Sequence, residues 1–186
     1  MSRRMDEPTE LTPEQFEREV EKQIRAMGVS LSEFKVQRLE RIPSADGVYE
    51  IDVTARFEAL GANFLVLIEC KHHKNPIKRE VVQVLNDRLR AVGAQKGMIF
   101  STAQYQRGAL EYAKAHGIAL ARVVDGSALF ESKSFGGRRA EPPPWAPPYA
   151  AYLVSLSDEG GESYSVMRAG IAGELFEQFN VGTEGR

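Results

Sequence analysis

The sequence predicts an α/β domain: an αβββαβ core whose mixed central sheet is flanked by helices, with a small C-terminal β-hairpin/helix extension. Three observations predict it. Stretches with apolar residues at helical spacing interleave with short apolar or alternating runs, the pattern of a layered α/β domain. Glycine or proline ends nearly every run, so the elements are short and separable. At 186 residues the chain is long enough for one sizeable core and a modest appendage.

Residues 1–11 are polar and expected to fray. Thr12-Pro13-Glu14-Gln15 reads as a helix start, with Thr12 as N-cap, Pro13 at the first helical position and Gln15 completing a capping box. Phe16, Val20, Ile24 and Met27 follow at helical spacing, and Gly28 closes the helix. Phe34 to Ile42 alternates loosely and is expected to be a strand, followed by a turn from Pro43 to Gly47.

Residues 48–58 alternate cleanly, and residues 64–71, FLVLIECK, form a short apolar run. Gly61 suits the first central position of a two-residue turn, so a hairpin is expected with the turn at Gly61-Ala62. In that register Phe57 faces Val66, Ala55 faces Ile68 and Val53 faces Cys70, all on one apolar face. The other face sets Asp52 opposite Lys71 and Thr54 opposite Glu69.

A helix is expected over 77–92, from Ile77, Val81, Val84, Leu85, Leu89 and Val92, ending at Gly93. Residues 97–101, GMIFS, read as a buried strand; 103–116, with Tyr105, Ala109, Leu110, Tyr112 and Ala113, as a helix; and Ile118 to Val124 as a further strand. The expected domain spans 12–132. A Pro-rich linker, 133–148, carries five of the nine prolines. The extension, 149–186, reads as a hairpin around a Gly-Gly turn and a short helix from Ile171 to Phe179. It is too small to fold alone and is expected to pack on the main domain or on a partner subunit.

Composition narrows the function. No apolar run is long enough to span a bilayer, and the N-terminus has no apolar stretch of the kind a secretory signal needs. The single cysteine, Cys70, forbids an internal disulfide, so a reducing, cytoplasmic setting is expected. A net charge of −2 gives no bulk attraction to nucleic acid. Any phosphate contact must be local, and the densest basic stretch is Lys71, His72, His73, Lys74, Lys78 and Arg79.

The chemistry lies where the apolar run FLVLI ends in Glu69 and Lys71. Side chains repeat every two residues on a strand, so these two share a face. With Asp52 nearby, two carboxylates and an ammonium converge. Paired carboxylates repel unless a cation joins them, and magnesium takes one or two carboxylates plus substrate phosphate. Lys71 is then placed to stabilise developing negative charge. The plain alternative is an Asp52–Lys71 salt bridge on a hairpin end. Cys70, His72 and His73 do not match a zinc spacing, and Cys70 points to the apolar face.

Ile51-Asp52-Val53, a turn, and Leu67-Ile68-Glu69-Cys70-Lys71 resemble the PD-(D/E)XK nuclease motif. Phe16-Glu17, the ECKHHK segment, Lys96 to Thr102, and Ala109 to Leu120 make the chain similar to the Mrr-like restriction endonuclease family. The resemblance covers about residues 12–130. It implies a metal-dependent DNA endonuclease, with Asp52 and Glu69 holding Mg2+ (or Mn2+) and Lys71 as catalytic lysine. It also implies Glu17 as the first-helix acid and Gln83 as a residue near the scissile phosphate. His72, His73, Lys74, Lys78 and Arg79 are the candidate DNA contacts, though each also reads as a solvated surface residue.

The stretch before residue 12 is too short for the winged-helix recognition module of Mrr restriction enzymes. A protein partner supplying target recognition is therefore possible, and a homodimer is expected because cutting both strands needs two centres. The competing readings are a catalytically silent DNA-binding or assembly module with this fold, and a structure-specific nuclease such as a junction resolvase.

Overall fold

A computed structural model describes residues 9–126, 144 and 146–167. Among them the order is α1 (Pro13–Met27), β1 (Ser32–Ser44), β2 (Gly47–Ala59), β3 (Ala62–Lys71), α2 (Arg79–Val92), β4 (Lys96–Ser101), α3 (Arg107–His116), β5 (Ala119–Asp125), β6 (Tyr149–Leu156) and β7 (Glu162–Val166). The strands form one seven-stranded sheet in sequence order, β1 to β7. The β1–β2–β3 pairs are antiparallel, β3–β4–β5 parallel, and β5–β6–β7 antiparallel. The mixed α/β architecture is the one the sequence predicts.

Helix α1 begins with the full capping box between Thr12 and Gln15, and its buried residues are Phe16, Val20, Ile24 and Met27. That apolar stripe packs on one face of the sheet against Val53, Ala55, Ile68, Met98 and Phe100. Helices α2 and α3 cover the other face, over Ile51, Leu67, Ile99 and Leu120. The sheet is thus buried on both faces at its parallel centre, where the strands read as continuous apolar runs. No described helix is long and apolar enough to cross a membrane.

Four expectations need correction. The hairpin turn lies at Leu60-Gly61, not Gly61-Ala62, because both residues take positive φ, 53° and 74°, as a type I′ turn requires. The register therefore shifts by two residues: Ala55 pairs with Val66 and Val53 with Ile68. A two-residue shift keeps the paired side chains from Val53 to Phe57 and from Phe64 to Ile68 on their predicted faces. Helix α3 starts at Arg107 rather than at residue 103, because Ile77 accepts the Gln106 N–H and donates to the Gln104 carbonyl, holding Tyr105 in a parallel bridge. In α2 the buried face is Val82, Leu85, Asn86 and Leu89, which leaves Val84 half exposed.

The C-terminal hairpin does pack on the main domain. Strand β6 adds to β5 from Leu120↔Val154 to Asp125↔Tyr149, and its Ala151 and Leu153 join the α1-side core. The linker, apart from residues 144 and 146–148, and the helix expected at 171–179 lie outside the described residues.

Leu60 is fully exposed, so it gains nothing from burial, yet it adopts the left-handed conformation that disfavours a branched side chain. Leu60→Asn is expected to stabilise the fold by about 1 kcal/mol. Urea unfolding monitored by circular dichroism checks this; a lower midpoint would contradict the turn geometry.

Candidate active site

The site forms where β2 and β3 separate. Their ladder runs from Ala59↔Ala62 to Val53↔Ile68 and stops there. Beyond it the Cys70 N–H is taken by the Asp52 side chain, Oδ2 at 2.7 Å. Strand alternation also breaks at this point. Val53, Ala55 and Phe57 face α1, whereas Ile51 and Tyr49 pack with the α2 and α3 core. A regular strand would put Ile51 and Val53 on one face, so the chain turns over at Asp52. Its neighbour β1 turns over beside it: Leu39, between the pairs Arg38↔Val53 and Glu40↔Ile51, has φ 49°. Asp52 thus stands at an inflection, with its carboxyl aimed along the gap between β2 and β3.

Glu69 sits on the α2 face of β3 and is 7% exposed. Its Oε1 lies 2.5 Å from Lys71 Nζ and its Oε2 lies 2.6 Å from Arg88 Nη1. Both oxygens of a buried carboxylate are thereby paired, which such a group needs to remain charged. Lys71 follows from strand periodicity. Arg88 comes from the third turn of α2.

Burial is the main cause that raises the Asp52 carboxyl, to about 6. The negative charges of Glu69 and, less strongly, Glu17 add to the rise, while the Cys70 N–H and the Lys71 ammonium oppose it. This acid is costly to ionise in the absence of a further cation. The Cys70 thiol packs toward α1, and burial pushes its ionisation up, so it is a core residue rather than a ligand.

The other predicted residues divide into two groups. Glu17, on α1, is held by Arg38 Nη2 at 2.8 Å and contributes its charge to Asp52. Neighbouring Phe16 meets the His72 ring edge-on at 5.9 Å, so His72 leans toward α1. His73 is tied through its backbone N–H and carbonyl to the Thr102 hydroxyl. Lys74 and Lys78, in the segment that joins β3 to α2, and Arg79, the first residue of α2, are exposed. Arg79 lies 5.1 Å over the Tyr112 ring, toward α3.

Gln83 is half-buried on α2 but stands about 140° around the helix from Arg88, at 100° per residue. Arg88, not Gln83, is the α2 residue that reaches Glu69. Sequence reasoning missed Arg88. The available signal was a long cation flanking the apolar stripe of α2, one turn after Val84.

The donor set suits a hard divalent cation. No group of three or more His, Cys, Asp or Glu side chains is placed to hold a metal among the described residues. Magnesium asks for less: one or two carboxylates, with water and substrate phosphate completing its shell. Asp52 and Glu69 are the two carboxylates here that could serve as such ligands.

The Mrr_cat restriction endonuclease model matches residues 8–132. Among solved structures the chain is similar to a protein of unknown function, AF1548, at 25% identity and TM-score 0.47, covering 56% of this chain and 54% of that one. It is also similar to the DNA modification-dependent restriction endonuclease AspBHI, at 19% identity and TM-score 0.38, covering 56% of this chain and 27% of that one. No curated protein matches this chain.

Proposed function

The chain belongs to the restriction endonuclease family whose Mrr_cat model spans its residues 8–132, and we propose that it is a metal-dependent endonuclease that hydrolyses DNA phosphodiester bonds. The observation that carries this reading is the convergence of Asp52, Glu69 and Lys71 at the point where β2 and β3 part. Asp52 and Glu69 would hold the cation, magnesium or manganese. Bound there, the cation would polarise a phosphoryl oxygen and lower the cost of forming hydroxide.

The protein's own groups have separate tasks. Asp52 is held in direction by the Cys70 N–H, so its free oxygen keeps a fixed aim. Lys71 places a half-buried ammonium beside Glu69, where charge on a phosphate in transit would be felt in a partly dry setting. Glu17 completes the acidic side of the site from α1, and Gln83 is assigned the outer approach to the phosphate. His72, His73, Lys74, Lys78 and Arg79 would carry the DNA backbone through non-specific, salt-sensitive contacts.

The nuclease unit is assigned to residues 12–132, with 133–148 as linker and 149–186 as extension. Cutting both strands calls for two centres, so the active form is assigned as a homodimer. Target choice is assigned to a protein partner, the setting to the cytoplasm and the role to DNA defence.

The test is cleavage of supercoiled plasmid and of single-stranded DNA by the parent protein with Mg2+ or with EDTA. Metal-dependent nicking is expected. A folded protein that neither cleaves nor takes up metal would overturn the reading in favour of a silent DNA-binding module.

A further inference from the structure

Positive charge is distributed unevenly over the two carboxylates. Glu69 has two cations, Lys71 on Oε1 and Arg88 on Oε2. Among the described residues Asp52 has no ion pair, only the hydrogen bond from the Cys70 N–H. A divalent cation bridging the two acids would need an oxygen from each. On Glu69 each oxygen already faces a cation at hydrogen-bond distance. Two guests of like charge crowding one oxygen repel each other, so a metal entering here weakens at least one of the resident pairs.

The two residents are not equally free to leave. Lys71 is two residues from Glu69 on the same strand and the same face, so its ammonium cannot go far. Arg88 reaches over from α2, and Glu69 is the one hydrogen-bond partner of its guanidinium among the described residues. Its side chain is 27% exposed, so it can swing into solvent without breaking other bonds.

We infer that Arg88 is the resident counter-ion of Glu69, held in the place a divalent cation takes, and that metal loading opens the Arg88–Glu69 pair. This rests on the reading of Asp52 and Glu69 as metal ligands. Arg88 is a positioning residue: it keeps a buried carboxylate charged and aimed while the site waits for metal, and it sets the metal concentration at which the site fills. Metal affinity and the ion pair are then antagonistic, each weakening the other by the same factor.

The test is isothermal titration of the full chain with Mn2+ and with Mg2+, comparing parent, Arg88→Met, Arg88→Gln and Arg88→Met/Glu69→Gln. Methionine keeps the apolar stem and suits a helix. Glutamine gives a second variant should the first unfold, and thermal melting in EDTA reports which are folded. Both single variants are expected to bind Mn2+ about tenfold more tightly than the parent, about 1.4 kcal/mol, with the gain lost in the double variant. Metal binding by the parent, with equal or weaker binding by the Arg88 variants, would overturn the inference and leave the metal site standing. No binding by any of them would overturn both.

Discussion

Replacing Lys71 with methionine is expected to lower plasmid nicking by a factor on the order of 10²–10³ while leaving the protein folded, the loss seen when one preorganised charge stabiliser is removed from an active site. The ammonium lies 2.5 Å from Glu69 Oε1 on a side chain that is 25% exposed, so its field is only partly screened. Methionine retains the aliphatic stem and hence the packing along β3. Glu69 does not become an unpaired buried charge, because Arg88 still holds Oε2. The cost to stability is therefore nearer the ~1 kcal/mol of a partly exposed pair than the 3–5 kcal/mol, roughly, of stripping a buried ion of its partner. Initial nicking rates at saturating Mg2+, read beside thermal melts, separate the two effects. A folded variant that nicks at the parent rate would remove Lys71 from the chemistry.

The residues of this site were legible in the sequence to different depths, for physical reasons. Helix α1 was readable to the residue because a capping box, an N1 proline and a four-residue apolar stripe all agree. The shared face of Glu69 and Lys71 was equally secure, since it follows from the two-residue period of a strand. Their partner across the hairpin was not. The register depends on the turn, and Leu60 in a left-handed position breaks the usual preference for Asn or Gly. Placing the turn one residue late moved Asp52 opposite Lys71, whereas the observed ladder, extended past its last pair, leads Asp52 toward Glu69. The inflection at Asp52 and Leu39 has no sequence signal, because both clusters it joins are apolar. Arg88 was hidden for the complementary reason. An arginine on an amphipathic helix normally faces water, and only packing α2 on β3 brings it to Glu69. The tail hairpin was readable as a physical constraint: too small to stand alone, it had to find a sheet, and it found the edge at β5.

Asp52→Asn is expected to abolish metal-dependent cleavage and, in metal-free buffer at neutral pH, to make the protein more stable. The sign follows from the raised carboxyl. In the unfolded chain the acid ionises near 3.8, and in the folded protein burial and the Glu69 charge move it to about 6. Below about pH 4 both states are protonated and the native environment carries no penalty. As pH rises from 3.8 to about 6 the unfolded chain gives up the proton that the folded one still holds, so stability falls, and above 6, where both are ionised, the full penalty remains. At 1.36 kcal/mol per pKa unit the penalty is roughly 3 kcal/mol. Because Asp52 keeps some contact with solvent, about 1–2 kcal/mol is the realistic share. Asparagine escapes this cost while its carbonyl oxygen still accepts the Cys70 N–H. Urea unfolding of parent and variant in EDTA should thus give a gap in midpoint that is small at pH 4 and larger, in the variant's favour, at pH 7.5. Added Mg2+ should narrow the gap by stabilising the parent alone, through preferential binding to its folded state. A difference that does not change with pH would mean that Asp52 is not the strained acid of this site. The gain on neutralisation would mark an acid kept at some expense to the fold, which is characteristic of functional sites.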